Sequence, residues 1–330
     1  MNCLKLKLSK YLKFKYKKND AAVLLIAFGR VDYARKTFEA IKAAKPSKFY
    51  FYTNAGRPDH PDECKRNEIV KSMANEVDWP CEFKTWFREE PVGVLDSIRL
   101  AINWVFENEE KAIIMEEDCV GAPAWFSFAN EMLEKYKDND RVWLISGCNY
   151  AEDYNPLSHS YHFSRNFFIN GWASWRSRWK QIKWDQLDYD TLLKEGVIES
   201  YYPDAQQRRY HRGKIKQYGK EIEKTLCWDF VFWYSAVANN SFSIIPSRHL
   251  VQNIGIQGVH AGILAKFNGK TLKIPYNPVT FHEVDFDYSN PPLFVCPDNK
   301  FDRMVYTNWL SKTRVWYIEI PRKIYHFFKK

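Results

Sequence analysis

Short apolar runs alternate with amphipathic stretches over the first third of the chain. Four runs have the length and composition of buried strands: 21–28, 48–53, 81–86 and 111–115. Apolar residues at helical spacing predict helices between them, at 32–44, 62–75 and 94–107. Because strands that alternate with helices pair in parallel, the pattern predicts an α/β fold with a mixed, mostly parallel sheet and helices on both faces.

The regular alternation weakens in the second half. A helix is predicted at 123–135, followed by a strand at 142–146. No element is predicted for the aromatic-rich stretch 161–179. Farther on, the pattern predicts a polar helical region at 189–224, a helix that follows Trp228-Asp229-Phe230 and reaches Asn239, a strand at 242–245, and a loop at 253–260.

Composition is that of a globular protein, with 45% apolar residues among 330. The seven cysteines are scattered and never spaced as Cys-x-x-Cys, so they indicate neither a disulfide framework nor a zinc site. A reducing cytosol fits this usage best. The longest apolar run, 21–28, is too short to span a bilayer, and no signal peptide precedes it. We therefore expect a cytoplasmic protein.

The positive charge is concentrated at the two ends of the chain. The formal net charge is +9, and residues 1–18 contribute +7 while 312–330 contribute +5, which leaves −3 for the remainder. This distribution argues against a nucleic-acid-binding body. Lysines alternate with large apolar residues in both tails, a pattern that suits the anionic, inner face of a membrane. The alternative is a disordered basic leader with a C-terminal helix packed on the body.

Three carboxylates, Glu116, Glu117 and Asp118, directly follow the apolar run that ends at Met115. Ligands of open α/β sheets gather outside the carboxyl ends of the strands, and adjacent carboxylates repel one another unless a cation neutralises them. Magnesium and manganese prefer oxygen ligands, often one or two carboxylates together with substrate phosphates. The triplet therefore predicts a metal and phosphate site, with an acidic surface loop as the alternative.

No Gly-x-Gly-x-x-Gly and no Walker loop follows the first strand, which argues against dinucleotide and P-loop binding. Four other blocks stand out: Ala27-Phe28-Gly29-Arg30-Val31, Glu116-Glu117-Asp118-Cys119, Gly171-Trp172-Ala173-Ser174-Trp175-Arg176, and Trp228-Asp229-Phe230 with Ile245-Pro246 and Asn253-Ile254-Gly255 through His260. Over residues 21–262 these blocks resemble the GT-A glycosyltransferases, in particular bacterial nucleotide-diphospho-sugar transferases of the HlpA-like type, related to the N-acetylglucosaminyltransferase I family.

The resemblance implies a GT-A fold, a nucleotide-diphosphate sugar donor, and Mn²⁺ or Mg²⁺ as cofactor. The metal would be held by Asp118 and His260. The donor would be bound by Phe28, Arg30, Asn54, Glu116 and Glu117. The sugar or acceptor pocket would be lined by Gly171, Trp172, Trp175, Arg176 and Trp228. The chain departs from the family pattern at Glu117, usually Asp, at Asn54-Ala55-Gly56-Arg57-Pro58 in place of Asp-Gly-Pro, and at Pro91-Val92-Gly93 in place of Asn-Leu-Gly.

Asp229 is the candidate general base, because a carboxylate flanked by Trp228 and Phe230 is partly desolvated and its pKa is raised. Alternatively it caps the helix that follows. Each other candidate also has an ordinary structural alternative: core packing for Trp172 and Trp175, a solvated surface position for Arg30 and Arg176, and a surface position for His260.

The combined interpretation is a peripheral membrane, inverting glycosyltransferase acting on a glycan or lipid-linked acceptor in surface polysaccharide or lipopolysaccharide synthesis. Two alternatives remain open, namely a basic membrane-binding protein with a degenerate transferase fold and a sugar nucleotidyltransferase. The predicted organisation is a basic leader at 1–19, a catalytic domain at 20–265 and a C-terminal extension at 266–330. Within the catalytic domain, 20–120 would bind nucleotide and 121–265 the acceptor.

Overall fold

The computed structural model describes residues 20–184, 187–218, 228–255 and 286–311, together with the backbone of 265–267 and 270–272; the side chains of 217 and 218 are outside the description. The strands are β1 (Ala22–Ala27), β2 (Lys48–Thr53), β3 (Glu82–Phe87), β4 (Lys111–Glu116), β5 (Cys119–Gly121), β6 (Val142–Ser146), β7 (Tyr161–Ser164), β8 (Trp172–Trp175), β9 (Phe242–Pro246), β10 (Val251–Asn253), β11 (Ala265–Phe267) and β12 (Lys270–Leu272).

The helices in the described part of the chain are α1 (Val31–Ala44), α2 (Pro61–Ser72), α3 (Val94–Asn108), α4 (Pro123–Lys135), α5 (Arg176–Trp179), α6 (Tyr189–Lys194), α7 (Val197–Tyr201), α8 (Ala205–Tyr218), α9 (Trp228–Ala238) and α10 (Asn299–Val305). A 3₁₀ turn at Met73–Glu76 follows α2. A π-helical turn at Tyr306–Leu310 continues α10. Among the described residues, no helix combines the length and apolarity that a bilayer crossing requires.

Eight strands form one sheet in the order β3-β2-β1-β4-β8-β6-β9-β7. The first four are mutually parallel. β8 is antiparallel to both β4 and β6, and β9 is parallel to β6, so β4, β6 and β9 run in the same direction. β7 closes the far edge antiparallel to β9. The predicted α/β class with a mixed, mostly parallel sheet is confirmed.

Helices cover both faces of the sheet, as the strand pattern requires. Along β1 every residue is buried, and successive side chains enter opposite cores: Val23 and Leu25 belong to one cluster, Ala22 and Leu24 to the other. This alternation follows from the two-residue period of a strand. A third cluster forms around α6 to α9. The sheet therefore provides a rigid platform whose carboxyl edge is free to carry a site.

Tertiary structure adds strands that the sequence pattern did not reveal. β7 and β8 lie in the aromatic-rich stretch for which no element was predicted, and β5 and β10 are three-residue strands paired with each other. The predicted loop at 253–260 begins with Asn253, the last residue of β10, and 256–260 lie outside the described residues. The predicted region 189–224 is divided into α6, α7 and α8. Short, fully buried aromatic strands have no period by which a sequence identifies them.

Part of the predicted C-terminal extension packs on the body. Phe301 and Val305 of α10 are fully buried in the same cluster as β1. Asp302 is also buried and accepts hydrogen bonds from Ser164 Oγ and Asn166 Nδ2. Residues 286–311 are therefore integrated with the sheet through its β7 edge.

His211 of α8 is buried within a stack of aromatic rings that joins α7, α8 and α9. Its ring centroid lies 4.0 Å from that of Tyr202 and 5.1 Å from that of Trp233, with the ring planes nearly parallel. Its Nε2 has no hydrogen-bond partner among the described residues. Burial, with a contribution from the charge of Lys214, lowers the pKa of His211 to about 3. The fold thus accommodates this imidazole only in its neutral form.

Replacing His211 with Phe is expected to reduce the acid sensitivity of the protein. An unfolded histidine titrates near pH 6.5, so the stability that neutral His211 contributes is complete above pH 6.5 and is lost as the pH falls towards 3. At pH 5 the loss amounts to about 2 kcal/mol. Urea unfolding at pH 7 and pH 5 should show a smaller difference for His211→Phe than for wild type. The exposed His60 provides the control: His60→Gln should retain the full pH dependence.

Candidate active site at the carboxyl edge of the sheet

The turn between β4 and β5 presents the three carboxylates at the carboxyl edge of the parallel strands. Glu116 is the last residue of β4, which pairs with β1 directly beside the β1 to α1 loop. The return strand β5 pairs with β10, where Cys119 is opposite Asn253. Ile254 N also donates to Asp118 O at 2.8 Å. Backbone pairing on both sides therefore fixes the turn.

Glu117 binds the loop that follows β1. Its carboxylate accepts hydrogen bonds from Phe28 N at 2.8 Å, Arg30 N at 3.4 Å and Arg30 Nε at 2.5 Å, and the residue is 6% exposed. The structure thus brings together Phe28, Arg30 and Glu117, three of the predicted donor-binding residues. Glu117, which stands where the glycosyltransferases that the sequence resembles usually have Asp, therefore holds the β1 to α1 loop through these hydrogen bonds.

Arg30 bridges the same loop to Asp118. Its Nη1 donates to Asp118 Oδ2 at 2.9 Å, while the side chain remains 36% exposed. Burial lowers the pKa of Arg30, but the charges of Asp118 and Glu117 and their hydrogen bonds outweigh it and raise that pKa above its ordinary value. Arg30 is therefore a permanently charged, partly accessible guanidinium at the sheet edge.

Glu116 is a buried carboxyl group with a strongly raised pKa. Burial, followed by the negative charge of Asp118, raises the pKa of Glu116 to about 8, with smaller increases from Asp229 and Glu117 that Arg30 opposes. At neutral pH Glu116 is consequently mostly protonated. The result also shows that Asp229, more than a hundred residues away in the sequence, lies close enough to act electrostatically on this cluster.

Asp229 is the second residue of α9, in its first turn. Its carboxylate is exposed to solvent, yet protein surrounds it closely enough that desolvation raises its pKa. Hydrogen bonds from the Phe230 and Asp229 amides and the charge of Lys214 oppose this shift. Oδ1 accepts from Phe230 N at 3.0 Å. An accessible carboxylate with a raised pKa has the properties of a general base.

Asn253, Gly255 and Asn170 complete the cluster and were not among the predicted site residues. A side chain at position 255 would place its Cβ 2.1 Å from Asp118 Oδ2, so glycine alone permits this approach. Asn253 Oδ1 accepts from Gly255 N at 2.8 Å, and its Nδ2 donates to Asn170 Oδ1 at 3.2 Å. The Asn-Ile-Gly sequence was the available signal for two of them; Asn170, which directly precedes Gly171, had none.

Asn54 lies at the same edge, directly after β2, and its carboxamide makes hydrogen bonds within the protein. Nδ2 donates to Val92 O at 2.8 Å, and Oδ1 accepts from Ala55 N and Val92 N. The side chain thus fixes the Pro91-Val92-Gly93 loop. All of these bonds are internal, and the predicted donor contact by Asn54 stays a prediction.

The predicted sugar-pocket tryptophans are buried. Trp172 is fully buried and Trp228 is 5% exposed, and their rings pack with a centroid separation of 5.8 Å. Trp172 also contacts Trp179 and Phe232. Gly171 precedes Trp172 with φ of +67°, and a Cβ at this position would lie 2.6 Å from Val251 Cγ1. These rings have no free face for a sugar, which favours the core-packing alternative; Trp228 still positions the neighbouring Asp229.

Trp175 and Arg176 lie at the opposite edge of the sheet. Trp175 is paired with Lys111, the first residue of β4, whereas Glu116 is the last. Five residues of strand separate these ends by about 16 Å. Arg176 donates from Nη1 to Glu110 Oε1 at 2.6 Å and from Nε to Glu109 O. The structure therefore corrects their predicted placement, since the antiparallel β8 carries them away from the carboxylates.

The metal site remains a prediction, because one of its two predicted ligands cannot be placed. His260 lies outside the described residues. In the described ranges no group of three or more His, Cys, Asp or Glu side chains is arranged to hold a metal ion. However, Asp118, Asp229 and Glu117 each act electrostatically on Glu116, with Arg30 opposing them, and Lys214 acts on Asp229. Surplus carboxylate charge on oxygen donors suits a hard divalent cation such as Mg²⁺ or Mn²⁺.

Comparisons with known proteins add little. No protein-family model matches the chain, and no curated protein sequence matches it. Among solved structures, it is similar to 4-diphosphocytidyl-2C-methyl-D-erythritol synthase from Anaerococcus prevotii, with 11% identity and a TM-score of 0.31 over 54% of this chain and 82% of that chain.

Two further structures are similar at the same level. An apo UDP-glucose pyrophosphorylase has 8% identity and a TM-score of 0.33, covering 69% of this chain and 90% of that chain. A glycosyltransferase involved in glycosylation of the major capsid of PBCV-1 has 12% identity and a TM-score of 0.24, covering 56% and 76%. At such TM-scores the similarities carry no argument about the fold or activity of this chain.

Proposed function

We propose that this protein is a metal-dependent, inverting glycosyltransferase that uses a nucleotide-diphosphate sugar. The observation that supports it is the convergence of Arg30, the Glu116-Glu117-Asp118 triplet and Asp229 at one sheet edge, although they come from three separate parts of the chain. This edge is where open α/β sheets bind ligands. A permanent cation, an acidic cation site and an accessible base are the groups that transfer from a diphosphate donor requires.

In this proposal each group has one role. Arg30 binds diphosphate oxygens, for which a planar guanidinium is well suited. Asp118 would hold Mn²⁺ or Mg²⁺, with His260 as the second ligand that the family resemblance implies, and the bound ion would supply a Lewis acid for the leaving diphosphate. Asp229 accepts the proton of the acceptor hydroxyl. Because one base acts in one displacement, the anomeric configuration is inverted.

A sugar nucleotidyltransferase is less well supported by this geometry. Such an enzyme needs backbone amides after β1 to bind a triphosphate. Here Phe28 N and Arg30 N, the amides at that position, already donate to Glu117. These two amides are therefore already bound to Glu117 in the place where a triphosphate would have to bind.

The acceptor in this proposal is a glycan or a lipid-linked glycan in surface polysaccharide or lipopolysaccharide synthesis. The support for a lipid-linked acceptor is the basic, aromatic composition of the two termini. The protein would then work at the cytoplasmic face of an anionic membrane.

Thermal unfolding with UDP, GDP, CDP, ADP or dTDP, with and without manganese, tests the donor site. One nucleotide is expected to stabilise the wild type only when manganese is present. A ligand at 100 times its Kd adds about 2.7 kcal/mol, which is a shift of up to a few degrees in a chain of this size. Asp118→Ala should abolish the shift, because Asp118 is the metal ligand of the described triplet.

Asp62→Ala is the matched control for this measurement, since the Asp62 side chain on α2 is 84% exposed. It should retain the wild-type shift. If no nucleotide shifts the wild type with or without metal, the transferase proposal fails, and a membrane-binding protein with an inactive transferase fold becomes the better account.

A further inference from the structure

Large apolar side chains are exposed together at the β7 edge of the sheet. Leu293, Phe294 and Val295 are 82%, 71% and 40% exposed, and Leu157 is 69% exposed. Elsewhere in the described residues only Ile69 and Val94 are exposed hydrophobics of this size. Burying a side chain of this kind would stabilise the protein by about 1.5–3 kcal/mol. A cluster of such side chains left exposed marks an interaction site.

The first three residues belong to the segment 291–297, here called the edge loop. Its two ends are fixed to β7 by backbone bonds: Ser160 N donates to Asn290 O at 2.8 Å, and Asp298 N donates to Phe163 O at 2.8 Å. Asn290 Nδ2 donates to Ser158 O, beside Leu157. Rigid attachment on both sides thus holds the apolar residues outward.

The edge loop begins at the same end of the sheet as the candidate active site. β9 runs in the direction of β4, and its last residue, Pro246, pairs with Tyr161 at the start of β7. Ser160 and the attached Asn290 therefore lie at the carboxyl edge, with Leu157 just before them. A surface that bound the edge loop would approach the protein from the side of β7 nearest to this edge.

Basic sequence leaves the body near the same place. Asn308 Nδ2 donates to Asp153 Oδ1 at 3.1 Å, and the four residues from Asp153 to Leu157 span at most about 14 Å. The described chain ends three residues after Asn308, and 312–330 carry six Lys or Arg against Glu319. Lys300 and Arg303 of α10 are also exposed. The edge loop itself contains no charged residue.

We propose that the edge loop, together with Leu157, inserts into the interfacial region of an anionic lipid bilayer, with the basic C-terminal tail binding the headgroups. Exposed apolar residues beside a polybasic segment form the two-part signal that stable membrane association needs. A second copy of the chain fits less well, because a stable dimer uses roughly 20–30 residues from each partner. The lipid-linked acceptor rests on the proposed function, whereas the bilayer contact stands without it.

Co-sedimentation of the full chain with vesicles tests this inference. The probes are vesicles of phosphatidylcholine alone and of phosphatidylcholine mixed with phosphatidylglycerol. Wild type is expected to bind the mixed vesicles. The double variant Leu293→Ser/Phe294→Ser should bind at least about tenfold more weakly, since two inserted side chains are lost. Ile69→Ser/Val94→Ser, which removes the other exposed hydrophobics, should bind as wild type does.

The tail contribution has its own variant. Arg322→Glu/Lys323→Glu should weaken binding to the mixed vesicles and reduce, without abolishing, its dependence on phosphatidylglycerol content, because the basic residues 1–18 remain. Wild type that binds neither vesicle, or an edge-loop variant that binds as wild type does, would overturn the inference. So would size-exclusion chromatography showing a dimer that the edge-loop variant abolishes, because the surface would then belong to a second copy.

The nucleotide-induced thermal shift, measured on the same edge-loop variant, separates the two proposals. A retained shift with weakened vesicle binding supports both. If the wild type binds vesicles through the edge loop but no nucleotide shifts its thermal unfolding, the bilayer contact is supported and the transferase proposal is rejected. A normal nucleotide-induced shift, together with vesicle binding that the edge-loop variant does not weaken, would support the transferase and reject the bilayer contact.

Discussion

Asp229→Asn is expected to lower glycosyl transfer by about 10²–10⁴-fold, the usual contribution of a positioned general base. The amide preserves the size of the side chain and its acceptance of the Phe230 amide hydrogen bond, but it accepts no proton from an acceptor hydroxyl. The raised pKa of Asp229, caused by desolvation, brings the carboxylate closer to the range in which a base is effective. Donor binding should be unchanged, so the loss should appear in kcat and not as a loss of the nucleotide-induced thermal shift.

The measurement is steady-state transfer, with nucleotide release as the readout, once thermal unfolding has identified the donor base. The control is Asp188→Asn, at the N-cap of α6, where the exposed carboxylate accepts from Thr191 N and is assigned no catalytic role. Retention of near wild-type kcat by Asp229→Asn would show that Asp229 serves only the first turn of α9. The wild-type rate should also fall as the pH is lowered and Asp229 becomes protonated.

Asp302→Ala is expected to destabilise the protein by about 3–5 kcal/mol. Asp302 is 2% exposed and accepts from Ser164 Oγ at 2.5 Å, Asn166 Nδ2 at 3.0 Å and Arg165 N at 3.2 Å. Burial raises the pKa of Asp302 to about 6, against the opposing hydrogen bonds and the charge of Arg165. It is therefore mostly ionised at pH 7. Removing it leaves buried donors and a partly buried arginine without their acceptor.

Urea unfolding at pH 7 checks this value. Asp287→Ala is the control, because Asp287 lies in the same C-terminal segment but is exposed and accepts hydrogen bonds from Ser289. A change within about 0.5 kcal/mol is expected for it, as for most surface substitutions. Should Asp302→Ala prove equally mild, the hydrogen bonds of its carboxylate would contribute little to stability, and α10 would be held against β7 by Phe301 and Val305 instead.

Much of the fold follows from local sequence, and β1 shows why. Its unbroken apolar run, followed by the helical spacing of Ala34, Phe38 and Ile41 in α1, specifies a strand and then a helix by hydrophobic period alone. The same argument holds through β4 and α4. It fails at β7 and β8, because these four-residue strands are buried on both faces and therefore have no alternation of apolar and polar residues. Only their pairing with β9 and β4 makes them strands.

The same distinction applies to the candidate site, of which one part could be predicted from local sequence and another could not. The triplet at the end of β4 could be identified from sequence, since a run of carboxylates after a buried strand must reach the sheet edge. The direction of β8 could not be read from local sequence, so Trp175 and Arg176 were assigned to a pocket at the opposite end of the sheet. Asn54 was correctly placed at the edge, but its partner Val92 is 38 residues away in the sequence.

The sequence by itself therefore determined the α/β class, the parallel strands β1 to β4 and the position of the acidic turn, because hydrophobic period and strand polarity are local properties. Tertiary structure decided which charges meet there. It paired Arg30 with Glu117 and Asp118, brought Asp229 within electrostatic range of Glu116, and placed Gly255 against Asp118. Contacts between residues some ninety to more than a hundred positions apart depend on strand order and on close packing, and neither is encoded in the period of any single segment.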